Sequence, residues 1–144
     1  MIGLIQRVSN ASVVVDGETT GAIGEGILLL LGVQRDDSSA SADKLLNKVL
    51  SYRIFADEQG RMNRSLLDCG YELLVVSQFT LAADTGKGTR PGFSRAAAPE
   101  LADELYRYFL RQAALQVTTA SGRFGADMKV SLTNDGPVTF WLEV

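Results

Sequence analysis

Apolar positions alternate along the opening third of the chain and then run together. Ile2 to Val8 alternates loosely, Ser12 to Val15 is β-branched, and Thr19 to Ile23 continues the meander. These segments predict strands, with Asp16-Gly17 as a hairpin dipeptide. Ile27 to Val33 is apolar on both faces, interrupted only at Gly32, and predicts a buried central strand. Asp36 to Ser41 is polar and turn-like, and beyond it the period changes. Leu45, Leu46, Val49 and Leu50 recur at helical spacing and predict a helix from Ala42 to Tyr52, capped by Ser39 or Ser41 with Asp43 in its first turn. Asp57 to Arg64 reads as a loop pivoting at Gly60, and Glu72 to Gln78 as a further strand. Thr80 to Ala97 is long, polar and glycine-bearing, and such a loop in a compact domain is usually functional or mobile. Pro99 suits the first position of a second helix reaching Gln116, with Leu101, Leu105, Tyr108, Phe109 and Leu115 inward. Val117 to Ala120 predicts a strand and Ser121 to Ala126 a loop. Met128 to Thr133 and Val138 to Val144 predict two strands joined through Asn134-Asp135-Gly136-Pro137. So short a connection favours antiparallel pairing between them.

The chain has 144 residues, 46% apolar and 22% charged. That is enough for a real core in one domain spanning residues 1–144, with no repeat and no linker. The predicted class is α/β, β-rich, with two main helices. No apolar run approaches the roughly 20 residues of a membrane helix, and no charged start leads into an apolar run as in a signal peptide. A single cysteine, Cys69, excludes an internal disulfide or a cysteine-based metal cluster and fits a reducing cytoplasm.

Histidine is absent, and this changes the picture most. It removes Ser-His-Asp and Cys-His mechanisms, the usual zinc-hydrolase sites and any imidazole proton shuttle. No metal and no cofactor is expected. The net charge of −3 argues against a non-specific nucleic-acid coat, while leaving room for a local basic patch.

Four places could carry chemistry. Ser77-Gln78-Phe79-Thr80 ends a buried strand, where α/β proteins place ligands; its hydroxyls, amide and turning backbone could bind a polar substrate or an oxyanion. Ordinary capping hydroxyls at a strand end are the commoner arrangement. Gly136-Pro137 between two strands is unusual, because proline removes a ladder donor; a plain β-turn is the simpler reading. Lys87, Arg90 and Arg95, offset only by Asp84, could bracket phosphates or be solvated loop cations. Arg107 and Arg111 could extend that patch from the second helix. Arg7, inside a strand, either points to solvent or holds a backbone carbonyl. Cys69 has no nearby base and reads as structural.

Together these segments resemble the D-aminoacyl-tRNA deacylase family, essentially end to end. The landmarks are Ile5-Gln6-Arg7-Val8, Phe55 through Asp68, Ser77-Gln78-Phe79-Thr80 with Lys87-Gly88-Thr89-Arg90-Pro91, and Asn134-Asp135-Gly136-Pro137-Val138-Thr139. The specific part is the pairing of Ser-Gln-x-Thr with Asn-x-Gly-Pro-Val-Thr. One departure is Gly92, where many members carry serine.

The resemblance implies a homodimer with a three-layer β/β/α fold. It implies hydrolysis of the ester joining a D-amino acid, or glycine, to the 3′ acceptor end of an aminoacylated tRNA. It further implies a cis Gly136-Pro137 step, oriented by Arg7, entering a pocket of the partner subunit floored by Ser77, Gln78, Phe79 and Thr80. Main chain in the space an L side chain needs cannot rotate away, so the L-form is refused by clash, and glycine passes. Thr80 as nucleophile needs a base, and none is compelling. The favoured route uses the vicinal ribose 2′-hydroxyl to position or polarise a water, with backbone N–H groups as oxyanion donors. Three alternatives compete: a module that holds the tRNA end and protects the ester, a threonine hydrolase acting without RNA, and a scaffold dimer without chemistry.

Overall fold

A computed structural model describes all residues, Met1–Val144. Asp16 and Gly17, with φ of 50° and 79°, make the two-residue turn that twin left-handed positions require. The turn joins β1 (Ile2–Val15) to β2 (Glu18–Ile23) in antiparallel register. The two opening segments predicted separately are thus one long strand. It is kinked by an irregularity between Val13 and Val14. β3 (Gly26–Gly32) returns antiparallel along the first half of β1, and β6 (Glu72–Ser77) lies parallel to β3. β7 (Thr119–Ser121) adds parallel to β6. β8 (Lys129–Glu143) covers the other edge of β1 along most of its length.

The sheet order β2-β1-β3-β6-β7 curls until its two ends meet. Where β2 approaches β7, a Cβ on Gly21 would sit 2.5 Å from the Ser121 carbonyl oxygen, so only glycine allows the closure. The curl makes two apolar layers. Val8, Val13, Val15, Ile23, Leu28, Leu74 and Val76 fill its inside. Ile5, Ile27, Leu29, Leu31, Leu73 and Val75 face outward and are covered by α1 (Ser39–Ser51) and α3 (Pro99–Ala114). β3 and β6 are therefore buried on both faces, which is why their sequences show an unbroken apolar run. No helix is long and apolar enough to cross a membrane.

α1 packs by its predicted stripe. In α3, Leu105 and Phe109 are buried as predicted, whereas Leu115, expected inward, caps the helix end and is 78% exposed; Ala102, Tyr106 and Ala113 complete the buried face. α1 begins earlier than predicted because Ser38 is its N-cap; Ser41 sits in the first turn and its hydroxyl accepts the Ser38 N–H at 3.2 Å. Asp43 does not serve the first turn. Its carboxylate accepts the Tyr108 hydroxyl at 3.0 Å and fastens α1 to α3. Residues 57–64 are not a plain loop: β4 (Phe55–Ala56) and β5 (Met62–Arg64) pair around Gly60, whose φ is +76°. The one-turn helix α2 (Leu66–Cys69), unforeseen, is capped by Ser65, whose hydroxyl accepts the Asp68 N–H.

The largest difference is at the C-terminal end. Met128–Thr133 and Val138–Val144 do not pair with each other; both belong to the single strand β8 and pair with β1. Gln6 faces Thr139 and Val8 faces Asn134. One residue of β1, Arg7, therefore stands opposite four of β8, and Asp135-Gly136-Pro137-Val138 bulges out of the ladder. A turn and a bulge use the same residues, and only the distant strand β1 distinguishes them.

Tyr106 of α3 donates from its buried hydroxyl to the Val75 carbonyl of β6 at 2.9 Å, pinning the helix to the strand that leads to Ser77. Burial pushes the phenol up to about 12. A neutral phenol so favoured contributes stability in full below the ordinary tyrosine value of about 10, and loses it as pH climbs through 12. Tyr106→Phe is expected to flatten that alkaline limb in urea-unfolding midpoints. At neutral pH it should cost about 1 kcal/mol. An alkaline limb as steep as wild type would contradict this role.

Candidate active site

β6 ends level with Leu31, whose carbonyl accepts the Gln78 N–H at 2.8 Å. The chain then turns into a 3-10 helix, Phe79–Ala82. At its start the N–H groups of Phe79 and Thr80 have no earlier carbonyl of that turn to bond. Gln78 donates its side-chain amide to Thr80 Oγ1 at 2.6 Å. Ser77 and Gln78 are half-buried, Phe79 and Thr80 exposed. Ser77, Gln78 and Phe79 line a cleft of about 480 Å³, a size that encloses one small ligand. Ala97 and Pro99 border it from the start of α3, and Phe124, Met128 and Val130 form an apolar wall.

The Gly136-Pro137 bond is cis. Arg7 fills the mouth of the bulge: its Nε donates to the Asp135 carbonyl at 3.1 Å and its Nη1 to the Ile54 carbonyl at 2.7 Å. The Asp135 carboxylate adds an ion pair at 3.4 Å. Of the two options left open for Arg7, it is the backbone carbonyl that holds. Asn134 closes the neck, accepting the Val138 N–H at 3.0 Å and donating to Thr139 Oγ1 at 2.9 Å. Gly136 has φ +128°, and a Cβ there would lie 2.7 Å from the Val138 side chain and 3.0 Å from Arg7 Nη2. Only glycine fits.

The two motifs do not meet within one chain. Ser77 pairs with Leu31 and Leu31 with Gly3, whereas the bulge faces Arg7. That is three strand spacings across, roughly 14 Å, and four residues along, roughly 13 Å. Neither Arg7, Gly136 nor Pro137 lines the cleft of Ser77.

Comparison with known proteins now decides the family. The family model described as D-Tyr-tRNA(Tyr) deacylase matches residues 4–143. The D-aminoacyl-tRNA deacylase of Glaesserella parasuis is 65% identical over 144 residues, covering all of both chains. That of Aeromonas hydrophila is 65% identical over 145 residues, again covering both completely. The chain belongs to the D-tyrosyl-tRNA deacylase family. This deacylase is a hydrolase of the ester bond of aminoacyl-tRNA. Among solved structures, one titled c-Myc DNA Unwinding Element Binding Protein superposes with a TM-score of 0.95 at 42% identity, covering 100% of this chain and 99% of that one. Another, titled a probable eukaryotic D-amino acid tRNA deacylase, superposes at 0.86 with 16% identity, covering 99% and 98%; it shares the fold.

The three loop cations of the deacylase are not one cluster. Arg95 pairs with Glu143 at 3.3 Å and lines a separate polar hollow with Gln34 and Asp37. Lys87 and Arg90 stand exposed at the loop tip, which is cinched by Asp84 and Gly92 through backbone bonds of 2.7 and 3.0 Å. The Asp84 carboxylate accepts the Gly86 N–H at 3.0 Å and forms an ion pair with neither of them. A Cβ on Gly92 would meet nothing closer than 3.9 Å, so a serine would fit here without strain. On α3, Arg107 is taken by Asp103 at 3.0 Å and Arg111 lies over the Tyr108 ring, 6.0 Å from its centroid. Neither joins the loop patch.

Sequence reasoning missed two residues that bear on the site. Asn134 opens the Asn-x-Gly-Pro-Val-Thr motif, and its spacing to Val138 and Thr139 is a signal for a side-chain clamp across a tight loop. Phe93, an aromatic in an otherwise polar loop, packs its ring 5.1 Å from that of Phe79.

Proposed function

We propose that the deacylase removes D-amino acids from tRNA at the Ser77–Thr80 segment, with Gly136-Pro137 of a second copy closing the cleft against L side chains. The observation that carries this reading is the separation of the two motifs. A bulge so firmly held, by Arg7 inside and Asn134 at the neck, does not reach the Ser77 cleft of its own chain. A homodimer supplies the cleft of a second copy. β8 is a 15-residue edge strand, and Phe140 and Trp141 on it are 36% and 50% exposed. Long unpaired edges with exposed aromatics are surfaces that another chain covers.

The wall is main chain, so it cannot swing aside as a side chain would. The two hands of an amino acid differ by exchanging a hydrogen and a side chain at one carbon. Backbone atoms at the L side-chain position exclude even alanine, while glycine offers nothing to exclude and is cleaved too.

For the chemistry, the N–H groups of Phe79 and Thr80 receive the oxyanion that forms when water attacks the ester carbonyl. The terminal 2′-hydroxyl positions that water. Thr80 is a poor nucleophile here, because its one hydrogen-bond partner is the Gln78 amide, which donates to Oγ1 and cannot take its proton.

Incubation with matched D- and L-tyrosyl-tRNA tests the reading. Loss of the D-ester alone is the expected result. Equal loss of both would remove the stereochemical filter, and protection of the ester would make the protein a binding module.

A further inference from the structure

We propose that Phe79 and Phe93 form a stacking platform for an unpaired base of the tRNA acceptor strand, upstream of the terminal adenosine, with Lys87 and Arg90 on its phosphates. The inference rests on the reading that the ester lies at Ser77–Thr80. It names where the rest of the RNA strand goes.

Several large apolar side chains are exposed, but these two lie against each other, Phe79 at the cleft and Phe93 outside it. Phe79 lines it. The rings are 5.1 Å apart with planes tilted by 49°, and the side chains are 59% and 42% exposed. Two rings left in water without a hydrogen-bonding group suit a flat apolar ligand. A nucleobase meets that need whatever its identity, since every base has a π-face.

The platform is built before ligand arrives. Phe79 is fixed at the start of the 3-10 turn. Phe93 lies between two anchors: the Asp84–Gly92 backbone pair on one side, and bonds from Ala97 N–H to Val33 and from Arg35 N–H to Arg95, both 3.0 Å, on the other. Lys87 and Arg90 project from the tip that the first anchor closes. Neither takes part in an ion pair, although five other Lys and Arg side chains and the N-terminal ammonium do. Free cations three and six residues from an exposed aromatic supply both parts of single-strand recognition, a charge for the phosphate and a face for the base. The cleft holds one small ligand, so the strand upstream of its last nucleoside lies outside, and the Phe79 rim offers it an aromatic face with free cations nearby.

The test compares kcat/KM on D-tyrosyl-tRNA with that on D-tyrosyl-adenosine, which has the same ester and terminal nucleoside but no upstream strand. Phe93→Leu keeps apolar volume and removes the aromatic face. Its ratio of tRNA to short ester should fall about tenfold, through KM, as expected for one lost base stack. Phe93→Trp should restore it. Lys87→Ala with Arg90→Ala should make the salt slope shallower by about 0.7 per single-strand phosphate contact, from a wild-type slope already far short of −8. Four results would overturn the proposal: equal loss on both substrates, loss on neither, a ratio Phe93→Trp does not restore, or a changed oligomeric mass for Phe93→Leu, which would assign the ring to a subunit contact. Failure of the site reading itself would show in the wild type, as cleavage of both hands or of neither, and would overturn the platform with it.

Discussion

D-Tyrosyl-tRNA ending in 2′-deoxyadenosine, with the ester on the 3′-oxygen, should be hydrolysed about 10²–10⁴-fold more slowly than the natural substrate, the range by which a positioned proton-transfer group contributes. The chain has no histidine, and the groups at the turn are an amide, two hydroxyls and two rings' worth of hydrocarbon. Nothing among them titrates near neutrality. The Thr80 hydroxyl accepts from Gln78 and has no neighbour to deprotonate it. If the RNA supplies the missing group, Thr80→Ala should keep substantial deacylation and show no covalent adduct to lose. Rates measured side by side on the ribose and deoxyribose esters decide the matter. A deoxy substrate cleaved normally, together with a dead Thr80→Ala, would establish threonine as the nucleophile.

Arg7→Ala should lower D-ester hydrolysis and raise L-ester hydrolysis, collapsing discrimination from both ends. The guanidinium holds two carbonyls, one on the bulge and one at Ile54. Charge-assisted bonds are worth roughly 1.5–3 kcal/mol each, so losing the one to the bulge alone moves the balance of positions by about 10–100-fold. The wall then samples places that admit an L side chain and no longer seats the D-form squarely. Arg7→Lys should rescue little, because a point charge on a flexible stem cannot span both carbonyls as a planar fork does. Paired progress curves on D- and L-tyrosyl-tRNA give the readout. A variant that still refuses the L-ester and cleaves the D-ester at the wild-type rate would show that the bulge does not set chirality.

The missed details share a cause. The Ser65 cap, the β4–β5 pair and the 3-10 turn each depend on a few polar contacts too brief to imprint a period. Asp43 suited a helix start by sequence but went to Tyr108, a partner 65 positions away. Arg95 looked like one of three phosphate-binding cations, yet Glu143 at the far end of the chain claims it. In each case a local preference was sound and a distant residue offered more.

The sequence by itself determined the amphipathic stripe of α1, the Leu105 and Phe109 positions of α3's inner face, the doubly buried β3 and β6, the Asp16-Gly17 turn, and the placing of Ser77-Gln78-Phe79-Thr80 at a strand end. All of these are written in neighbours two to four residues apart, which is the range over which side-chain period and turn chemistry act. Only the tertiary structure decided that Asn134 to Val138 is a bulge within one strand, that Arg7 fills it across 128 positions, and that it lies far from the cleft of its own chain. Strand register is fixed by which remote backbone groups pair, and no local pattern carries that choice.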